Sequence, residues 1–325
     1  MDRLLSGLRA AGERTRLRLL VVLSRAELTV SEISSLLSQS QPRVSRHLKI
    51  LCDAGLLERS QEGTWVFYRA TDRGPAARLV QSLRALVPEN DSQLVRDFER
   101  LADIYRAHAE AAAGYFGESA DHWDRIRSLY LADPGVEQAM LEAAGDEPIG
   151  DFLDLGTGTG RILEVFSQRI HRGVGIDSSR EMLAVARVNL EANALRHCQV
   201  RLGDVYNLAV ETASADFVSI HHVLHFLDDP AAAITEAVRA LRPGGRLAIV
   251  DFARHGLEVL RTEFAHRRLG FTDHEVRKWC KAAGIGRVSI QHLPGQQIGA
   301  IERPPVTIWV GSPREGLPDK LQEAA

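Results

Sequence analysis

Beyond residue 150 the chain repeats one pattern, in which a short apolar run is followed by a turn and then by apolar residues at helical spacing. Short apolar runs between turns are typical of buried parallel strands, which need helical crossovers to join them. The pattern therefore predicts an α/β domain with a mainly parallel sheet. The runs that predict the first five strands lie at 151–155, 173–177, 200–205, 215–222 and 246–251.

The turn after the first run has glycine at three alternate positions, Gly156, Gly158 and Gly160. Glycine can adopt positive φ and let a ligand lie against the backbone, while the free N–H groups of the next helix face that ligand. The second run ends at Asp177, about twenty residues later, where nucleotide-binding βαβ units place an acid for the ribose hydroxyls. We therefore expect a nucleoside-containing cofactor at this edge of the sheet.

These runs, together with the turn at Pro243, Gly244 and Gly245, resemble the class I S-adenosylmethionine-dependent methyltransferases. An NAD-binding domain would place its third glycine one residue later and would leave the Pro-Gly-Gly turn unexplained, so we favour a methyltransferase fold over a dehydrogenase. The resemblance implies a Rossmann-like α/β domain with a seven-stranded sheet that ends in an antiparallel edge. It also implies that the cofactor is S-adenosyl-L-methionine, or S-adenosyl-L-homocysteine as a signal ligand.

The resemblance also assigns cofactor-binding roles by position. The glycines would shape the loop under the amino-acid part of the cofactor, Asp154 would orient that part, and Asp177 would hold the ribose. Asp204 and Val205 would lie at the adenine edge, and His221 would face the cofactor with its backbone carbonyl. The full set of expected cofactor residues is Asp154, Gly156, Thr157, Gly158, Gly160, Asp177, Ser178, Asp204, Val205 and His221.

The chemistry of methyl transfer leaves the catalytic residues open. Transfer from an activated sulfonium is an in-line displacement, in which positioning can supply most of the catalysis. His222 and His225 are candidates for a general base, because imidazole titrates near neutrality. Tyr115 is a further candidate, because the aromatic segment 115–124 resembles the one that covers the cofactor in UbiE-like methyltransferases.

Histidines 221, 222 and 225 also raise the question of a metal site. The first two would point to opposite sides of a continuing strand, and no Asp, Glu or Cys joins them at ligand spacing. We therefore expect no metal there. Two later histidines, His255 and His266, could line a substrate pocket, but a surface position is the expectation for both.

The first 85 residues have a different pattern. Apolar residues recur at helical spacing over 13–23, a capping-box pattern occupies 29–32, and a third helix is expected over 41–54, followed by two β-prone runs that form a hairpin. These features, above all residues 41–57, resemble the ArsR-type winged-helix transcriptional regulators. The resemblance implies a winged helix-turn-helix homodimer that binds an inverted repeat of double-stranded operator DNA, with half-sites ~34 Å apart.

The expected outer side of the third helix is polar and basic. Gln41, Ser45 and Arg46 are the expected base or near-base contacts, because their groups match base edges and phosphates. Residues 1–85 carry 14 Lys and Arg against 8 Asp and Glu, net +6, whereas the other 240 carry 26 against 35, net −9. A basic module suits a phosphate-bearing partner. Arg43, Lys49, Arg59 and Arg69 are expected to contact phosphates, whereas His47 could contact DNA or pack against the helix. The full set of expected DNA-binding residues is Gln41, Arg43, Ser45, Arg46, His47, Lys49, Arg59 and Arg69.

Cysteine usage and hydropathy bear on the compartment and on metal sensing. Cys52, Cys198 and Cys280 are widely spaced, which fits a reducing cytoplasm better than a disulfide framework. Metal-sensing ArsR members carry a cysteine pair in the helix before the recognition helix. Thr29 and Ser31 stand there instead, so we reject a thiolate metalloid site.

There is no apolar run of membrane-spanning length and no secretory leader pattern, so we expect a cytoplasmic protein without membrane association.

We expect four segments along the chain. They are a winged helix-turn-helix domain at 1–85, a helical linker and candidate dimer helix at 86–113, a methyltransferase domain at 114–315 and a flexible tail at 316–325. The amphipathic linker helix could form a dimer seam or pack on its own domain.

Three functions remain open at this point. The favoured one is a DNA-binding transcriptional regulator whose cofactor-binding domain couples methyl-donor status to operator binding and can retain catalysis. The alternative is an active small-molecule methyltransferase tethered to a regulatory head, and the third is a methyltransferase whose head only dimerises. The residues do not identify the methyl acceptor or the operator, nor which cofactor form is the signal.

Overall fold

The computed structural model describes residues 1–62, 65–72, 74–88, 90–117, 133–264, 266–298 and 301–313. The chain divides into two compact units, Met1–Ala111 and Ala112–Ala325. No helix within the described ranges is long and apolar enough to cross a membrane.

The first unit is a winged helix-turn-helix, which confirms the predicted fold of this part of the chain. Its strands pair antiparallel in the order β1-β3-β2, and the β2–β3 hairpin forms the wing. Its elements are α1 (Asp2–Ala11), α2 (Arg14–Leu23), β1 (Leu28–Thr29), α3 (Val30–Leu37), α4 (Gln41–Asp53), β2 (Leu57–Glu62), β3 (Trp65–Ala70), α5 (Gly74–Leu86) and the part of α6 (Ser92–Gly117) up to Ala111.

Side-chain caps fix where two of these helices begin. The Thr29 hydroxyl accepts from the N–H of Glu32 at 3.3 Å, and the Glu32 carboxylate accepts from the N–H of Thr29 at 2.7 Å, which confirms the capping box before α3. The carboxylate of Glu13 accepts from two N–H groups in the first turn of α2. The sequence pattern does not predict α1 or α5. In α5 the Gly-Pro pair that usually indicates a turn occupies the first helical turn, where proline is tolerated.

One apolar core holds the first unit together. Val44, Leu48 and Leu51 of α4 have no exposed surface, which confirms the core side predicted for this helix. Leu101 of α6 belongs to the same core, and Phe98 packs against it. The described apolar side of α6 therefore packs on its own unit. A role of 86–113 in dimerisation stays a prediction.

The second unit has the topology expected from the sequence. Seven strands form one sheet in the order β6-β5-β4-β7-β8-β12-β9, parallel from β6 to β8, with β12 antiparallel to both of its neighbours. Its elements are α7 (Pro134–Ala143), β4 (Ile149–Leu155), α8 (Arg161–Phe166), β5 (Ile170–Asp177), α9 (Arg180–Ala192), β6 (Cys198–Leu202), β7 (Ala215–His221), a 3₁₀ turn (Leu224–Phe226), α10 (Pro230–Ala240), β8 (Leu241–Phe252), α11 (Val259–Phe264), α12 (Asp273–Ala282), β9 (Ile285–Leu293), β10 (Gln296–Ile298), β11 (Ile301–Arg303) and β12 (Val306–Pro313).

Helices cover both sides of this sheet. Residues of α7, α8 and α9 pack into one apolar core, which includes the stacked rings of Phe152, Phe166 and Phe217. Residues of α10 and α12, including Ile234 and Val276, pack into a second core on the opposite side. Because both sides are covered, ligands can reach the parallel strands only at their ends, and in open α/β sheets the carboxyl ends form the binding edge.

A buried ion pair should dominate the link between α2 and α6. The guanidinium of Arg18 donates to both oxygens of Asp97, at 2.8 and 2.7 Å, and Asp97 has no exposed surface. Removing the carboxylate leaves a largely buried cation without compensation, so Asp97→Asn should lower the free energy of unfolding of the first unit by about 3 kcal/mol. Hydrogen exchange of amides in this unit, measured on the full chain, checks this value.

The matched control is Asp53→Asn in α4. Asp53 pairs with Lys49 at 3.0 Å, but the two side chains are 64% and 75% exposed. Such a pair contributes at most about 0.5 kcal/mol. Equal effects of the two substitutions would contradict the structural importance of the Arg18–Asp97 pair.

Candidate functional site

The glycine loop after β4 has the backbone conformation that the sequence predicts. Gly156, Gly158 and Gly160 have φ values of 70°, 53° and 82°. A Cβ at Gly156 would lie 2.3 Å from the side chain of Val223, whereas a Cβ at Gly158 would meet nothing within 4 Å. The open space over Gly158 leaves room for a ligand to lie against the loop.

Asp177 connects this loop to the end of β5. One of its carboxylate oxygens accepts from the N–H of Gly158 and the other from the N–H of Ser179, both at 2.8 Å. β5 pairs directly with β4, so the acid and the glycine loop stand side by side at the carboxyl edge of the sheet. A carboxylate can accept further hydrogen bonds, so Asp177 can hold a ribose diol from this position.

Asp154 is a buried carboxylate with an incomplete set of donors. Its side chain is 1% exposed, and one oxygen accepts from the hydroxyl of Ser219 at 2.6 Å. Burial raises the pKa of Asp154 to about 6, although Ser219 and Thr157 act to lower it. The other carboxylate oxygen and the Thr157 hydroxyl have no hydrogen-bond partner of good geometry. A cationic donor, such as an ammonium group, would complete this site.

The remaining expected cofactor residues lie at the ends of strands along the same edge. Asp204 is exposed after β6 and accepts from the N–H of Tyr206 at 2.9 Å, and Val205 next to it is half-buried. Ser178 is exposed after β5, and half-buried His221 ends β7. The edge therefore presents the acids, the glycine loop and open space that an adenosyl amino acid requires, and these residues fit S-adenosylmethionine. Their individual roles stay predictions.

The histidines after β7 gather differently from the sequence-based expectation. His222 has a φ of 54°, so the strand ends at His221 and the alternation assumed for the two side chains does not apply. The argument that no carboxylate joins these histidines is wrong, because Asp251 at the end of β8 comes within 4.8 Å of ligand atoms on both His222 and His225. The expected absence of a metal stays a prediction.

His266 is also placed differently, since it is 3% exposed rather than on the surface, and His255 is half-buried. The ring centroid of His266 lies 4.2 Å from that of His225. Burial lowers the pKa of His221 to about 4 and that of His266 to about 3, and it holds the pKa of His222 well below its ordinary value. Burial therefore favours the neutral form of all three rings. The side chain of Tyr115 lies outside the described residues.

The outer side of α4 carries the groups predicted to contact DNA. Gln41, Arg43, Ser45 and Arg46 are exposed, and so is Lys49, which pairs with Asp53. The helix therefore presents a continuous polar and basic side, opposite the buried Val44, Leu48 and Leu51.

Three other predicted DNA-binding residues differ in their surroundings. Arg59 of β2 is exposed. Arg69 of β3 is 14% exposed and pairs with Asp72 at 3.1 Å, so its guanidinium is less available to a phosphate than that of Arg59. His47 lies 3.5 Å from the carboxylate of Glu13, and burial lowers its pKa. A packing role against the start of α2 fits His47 better than a phosphate contact.

Comparisons with known proteins agree with this division. Residues 13–59 match the family described as bacterial regulatory protein, arsR family, and residues 153–249 match a methyltransferase domain. An uncharacterized 37.1 kDa protein in transposon TN4556 of Streptomyces fradiae is 30% identical over 236 residues, which cover 69% of this chain and 66% of that protein.

Two further relatives each match one part of the chain. The arsenical resistance operon repressor of Escherichia coli K12 is 36% identical over 91 residues, 27% of this chain and 78% of the repressor. An arsenite methyltransferase of Halobacterium salinarum is 32% identical over 120 residues, 36% of this chain and 30% of that enzyme. The chain spans less than two thirds of the length of the Streptomyces and Halobacterium relatives. In its first part the chain belongs to the bacterial arsR regulatory family, and in its second part residues 153–249 form a methyltransferase domain.

Proposed function

We propose that this protein is a DNA-binding transcriptional regulator whose methyltransferase domain binds S-adenosylmethionine or S-adenosylhomocysteine and thereby changes its affinity for operator DNA. The observation that carries the proposal is that one chain combines an exposed polar and basic recognition helix with a cofactor cradle, formed by Asp154, Gly158 and Asp177. In this cradle the second carboxylate oxygen of buried Asp154 has no hydrogen-bond partner of good geometry. A cationic ligand that pairs with this buried carboxylate would bind favourably. That binding free energy could shift the protein between states of different operator affinity.

Each part of the cofactor has a counterpart among the described residues. Asp154 would take the ammonium group, the backbone at Gly158 would lie under the amino-acid part, and Asp177 would accept from the ribose hydroxyls. Asp204 would stand at the adenine edge. When bound, the cofactor supplies a methyl group activated on a sulfonium, and the corresponding product is a thioether.

The coupling that this proposal needs is modest. A ligand changes operator affinity only through its different affinity for two states of the protein. A coupling free energy of ~1–3 kcal/mol would change operator affinity by roughly 5- to 150-fold, which suffices for a regulatory response.

Arsenite is disfavoured both as signal and as methyl acceptor. Soft metalloids need thiolate ligands. Burial raises the pKa of Cys198 and of Cys280 to about 12, so both stay protonated, and burial also raises the pKa of half-buried Cys52. The chain has three cysteines, and one of them lies on α4 in the first unit. The acceptor and signal of the arsenic-linked relatives therefore do not transfer to this chain.

A second function, methyl transfer to a small molecule, is favoured by one observation. His225 and Asp251 form a buried hydrogen-bonded pair, 2.7 Å apart, at the same sheet edge as the cofactor cradle. Cofactor sensing has no use for such a pair, whereas removal of a proton from an acceptor can use one.

DNA binding through α4 can be tested by substitutions that separate base contacts from phosphate contacts. An operator is first selected from a pool of random duplexes with the full chain. Arg46→Ala should weaken binding to that operator by ~1–3 kcal/mol and relax its specificity at one position. Lys49→Ala should weaken binding to all duplexes alike and reduce the slope of log affinity against log salt by about one. Binding isotherms at several salt concentrations measure both effects.

Lys281→Ala on α12 is the control for loss of a positive charge, because Lys281 is exposed in the second unit. Its operator affinity should equal that of the wild type. Salt-independent binding, or equal losses for Arg46→Ala and Lys281→Ala, would exclude α4 as the recognition helix.

Cofactor coupling can be tested with the same operator. Saturating S-adenosylhomocysteine or S-adenosylmethionine should change operator affinity by roughly 5- to 150-fold. Asp177→Asn should weaken cofactor binding roughly 10- to 100-fold, since charge-assisted hydrogen bonds are worth about 1.5–3 kcal/mol, and it should leave operator binding without cofactor unchanged. Calorimetry measures the first effect and fluorescence anisotropy the second.

Asp146→Asn is the matched control, because Asp146 is an exposed acid of the same unit. Operator affinity that stays constant under saturating cofactor would eliminate the sensing part of the proposal. A DNA-binding defect of the unliganded Asp177→Asn variant would mean that this residue does not act through the cofactor.

The buried carboxylate predicts a pH-dependent stability without cofactor. Asp154 has a folded pKa of about 6 against an ordinary value of 3.8, so between these values the folded chain holds a proton that the unfolded chain has lost. Its contribution to stability therefore falls as pH rises from about 4 to 6, by at most about 3 kcal/mol. Asp154→Asn should match the wild type near pH 4, exceed its stability at pH 7.5, and bind cofactor more weakly.

Denaturant unfolding at both pH values measures the free energy of unfolding, and cofactor binding is measured in parallel. Asp154→Asn should gain stability at pH 7.5 and lose cofactor affinity. A stability difference between Asp154→Asn and the wild type that does not change with pH would show that Asp154 is not the titrating group.

A further inference from the structure

His225 and Asp251 make a closely defined contact inside the second unit. Nδ1 of His225 lies 2.7 Å from Oδ1 of Asp251, and neither side chain has exposed surface. The Asp251 carboxylate also accepts from the N–H of Phe252 at 2.8 Å and from the N–H of His225 itself at 3.3 Å. Three donors on one carboxylate fit its ionised form and hold it in a single orientation.

The pair stands beside the cofactor cradle. His225 lies on the 3₁₀ turn after β7, and Asp251 lies near the end of β8, which pairs in parallel with β7. β7 also pairs with β4, the strand that leads into the glycine loop. Two residues before His225, the side chain of Val223 packs so closely on Gly156 that a Cβ there would come within 2.3 Å.

The chemistry of the contact determines the form of the imidazole. A carboxylate that accepts from Nδ1 of His225 selects the tautomer with its hydrogen on Nδ1, and in that tautomer Nε2 is the accepting nitrogen of the ring. The rings of Phe226, Phe252 and His266 pack around His225, with centroids 4.1, 5.2 and 4.2 Å away. The Asp251 carboxylate beside Nδ1 supplies the counter-charge that a proton on Nε2 would need in these apolar surroundings.

We propose that His225 is the general base for methyl transfer to a protic acceptor, an O–H, N–H or S–H compound, and that Asp251 is the positioning residue that fixes its tautomer. The proton of the acceptor moves to Nε2 of His225. The freed electron pair of the acceptor atom forms the bond to the methyl carbon, and the electrons of the broken S–C bond stay on sulfur. The proton then leaves the imidazole to water. This proposal depends on the cofactor site proposed above.

A cavity whose lining begins two residues after His225, without including His225 or Asp251, offers the acceptor a place. Its volume is about 460 Å³, and its lining includes Leu227, Asp228 and His255. Leu227 and Asp228 follow His225 closely in the chain, and the ring of His255 lies 5.9 Å from that of Phe252. Because His225 itself is fully buried, an acceptor in this cavity reaches Nε2 only when a covering ring moves. Phe226, 39% exposed, is the most exposed of these rings.

The competing explanation is that Asp251 only satisfies backbone N–H groups and His225 only fills space. Asp251→Asn and Asp251→Glu separate the two explanations. Asn keeps the size of the side chain and an oxygen that accepts from the backbone, but it carries no charge; Glu keeps the charge. A purely structural role predicts that Asn is tolerated better than Glu, whereas a base-positioning role predicts that function is retained better with Glu.

The first measurement does not depend on turnover. Nitrogen-15 NMR of histidine-labelled full chain, saturated with S-adenosylhomocysteine, reports which nitrogen of His225 carries the proton. The wild type should show hydrogen on Nδ1, Asp251→Asn should lose this preference, and Asp251→Glu should retain it. Hydrogen on Nε2 of His225 in the wild type would overturn the proposal.

The second measurement compares acceptors that do and do not carry a proton. Full chain with methyl-labelled S-adenosylmethionine is offered phenol, ethanethiol and imidazole as protic probes, and iodide as a nucleophile without a proton. The wild type should methylate at least one protic probe. His225→Gln should lower kcat/KM for that probe by roughly 10²- to 10⁴-fold, while the iodide reaction and the donor Kd change less than about twofold.

His274→Gln on α12 is the control for loss of an imidazole, because His274 is exposed, and it should leave all rates unchanged. Equal losses with iodide and with the protic probe would mean that His225 only supports the fold or the donor. The absence of transfer to every protic probe by a wild type that binds the donor would also overturn the proposal. Loss of donor binding in the wild type would instead refute the cofactor site, so calorimetry of donor binding comes first.

Discussion

The parallel sheet of the second unit brings its functional groups together because adjacent parallel strands end at the same edge. β5, β4, β7 and β8 are neighbours in the sheet. Their ends supply Asp177, the glycine loop, the histidines and Asp251, which are spread over about a hundred residues of chain. The helices on both sides fix the strands, so each end keeps its place. The sites proposed here depend on this convergence more than on any single contact.

Much of the fold is encoded in local signals that a sequence reader can detect. The capping box at Thr29 and Glu32, the glycine loop and the alternation of apolar runs with helical periods all act within a few residues of the elements they specify. The α5 helix was not predicted because its first turn contains a Gly-Pro pair. Such a pair is compatible both with a turn and with the start of a helix. The packing of α6 depends on which surface is nearby, and periodicity alone does not contain that information.

The geometry of the candidate site was predictable at the glycines and Asp177. A run of alternate glycines favours a loop with positive φ, and an acid at the end of the next parallel strand lies beside that loop. The His225–Asp251 pair was not, because its members are 26 residues apart and meet only through the β7–β8 register. The burial of His266 was not predictable either, because nothing in the local sequence distinguishes it from a surface histidine. Its position against the ring of His225 is set by the loop after α11. The pairing of Arg69 with Asp72 likewise reduces a predicted phosphate contact through a neighbour that the helix and strand pattern does not single out.

The two halves of the chain use opposite physical strategies for recognition. The α4 helix keeps its charged groups exposed, so their effect is long-ranged, screened by salt and tolerant of small movements. The sheet edge buries its acids and imidazoles, so their effect is short-ranged and depends on complete hydrogen bonding. A buried carboxylate such as Asp154 lowers the stability of the unliganded domain, and a cationic ligand bound to it would restore that stability. The free energy of such a site differs between its empty and filled states. Ligand binding at this site could therefore shift the equilibrium between two states of the protein that differ in DNA affinity.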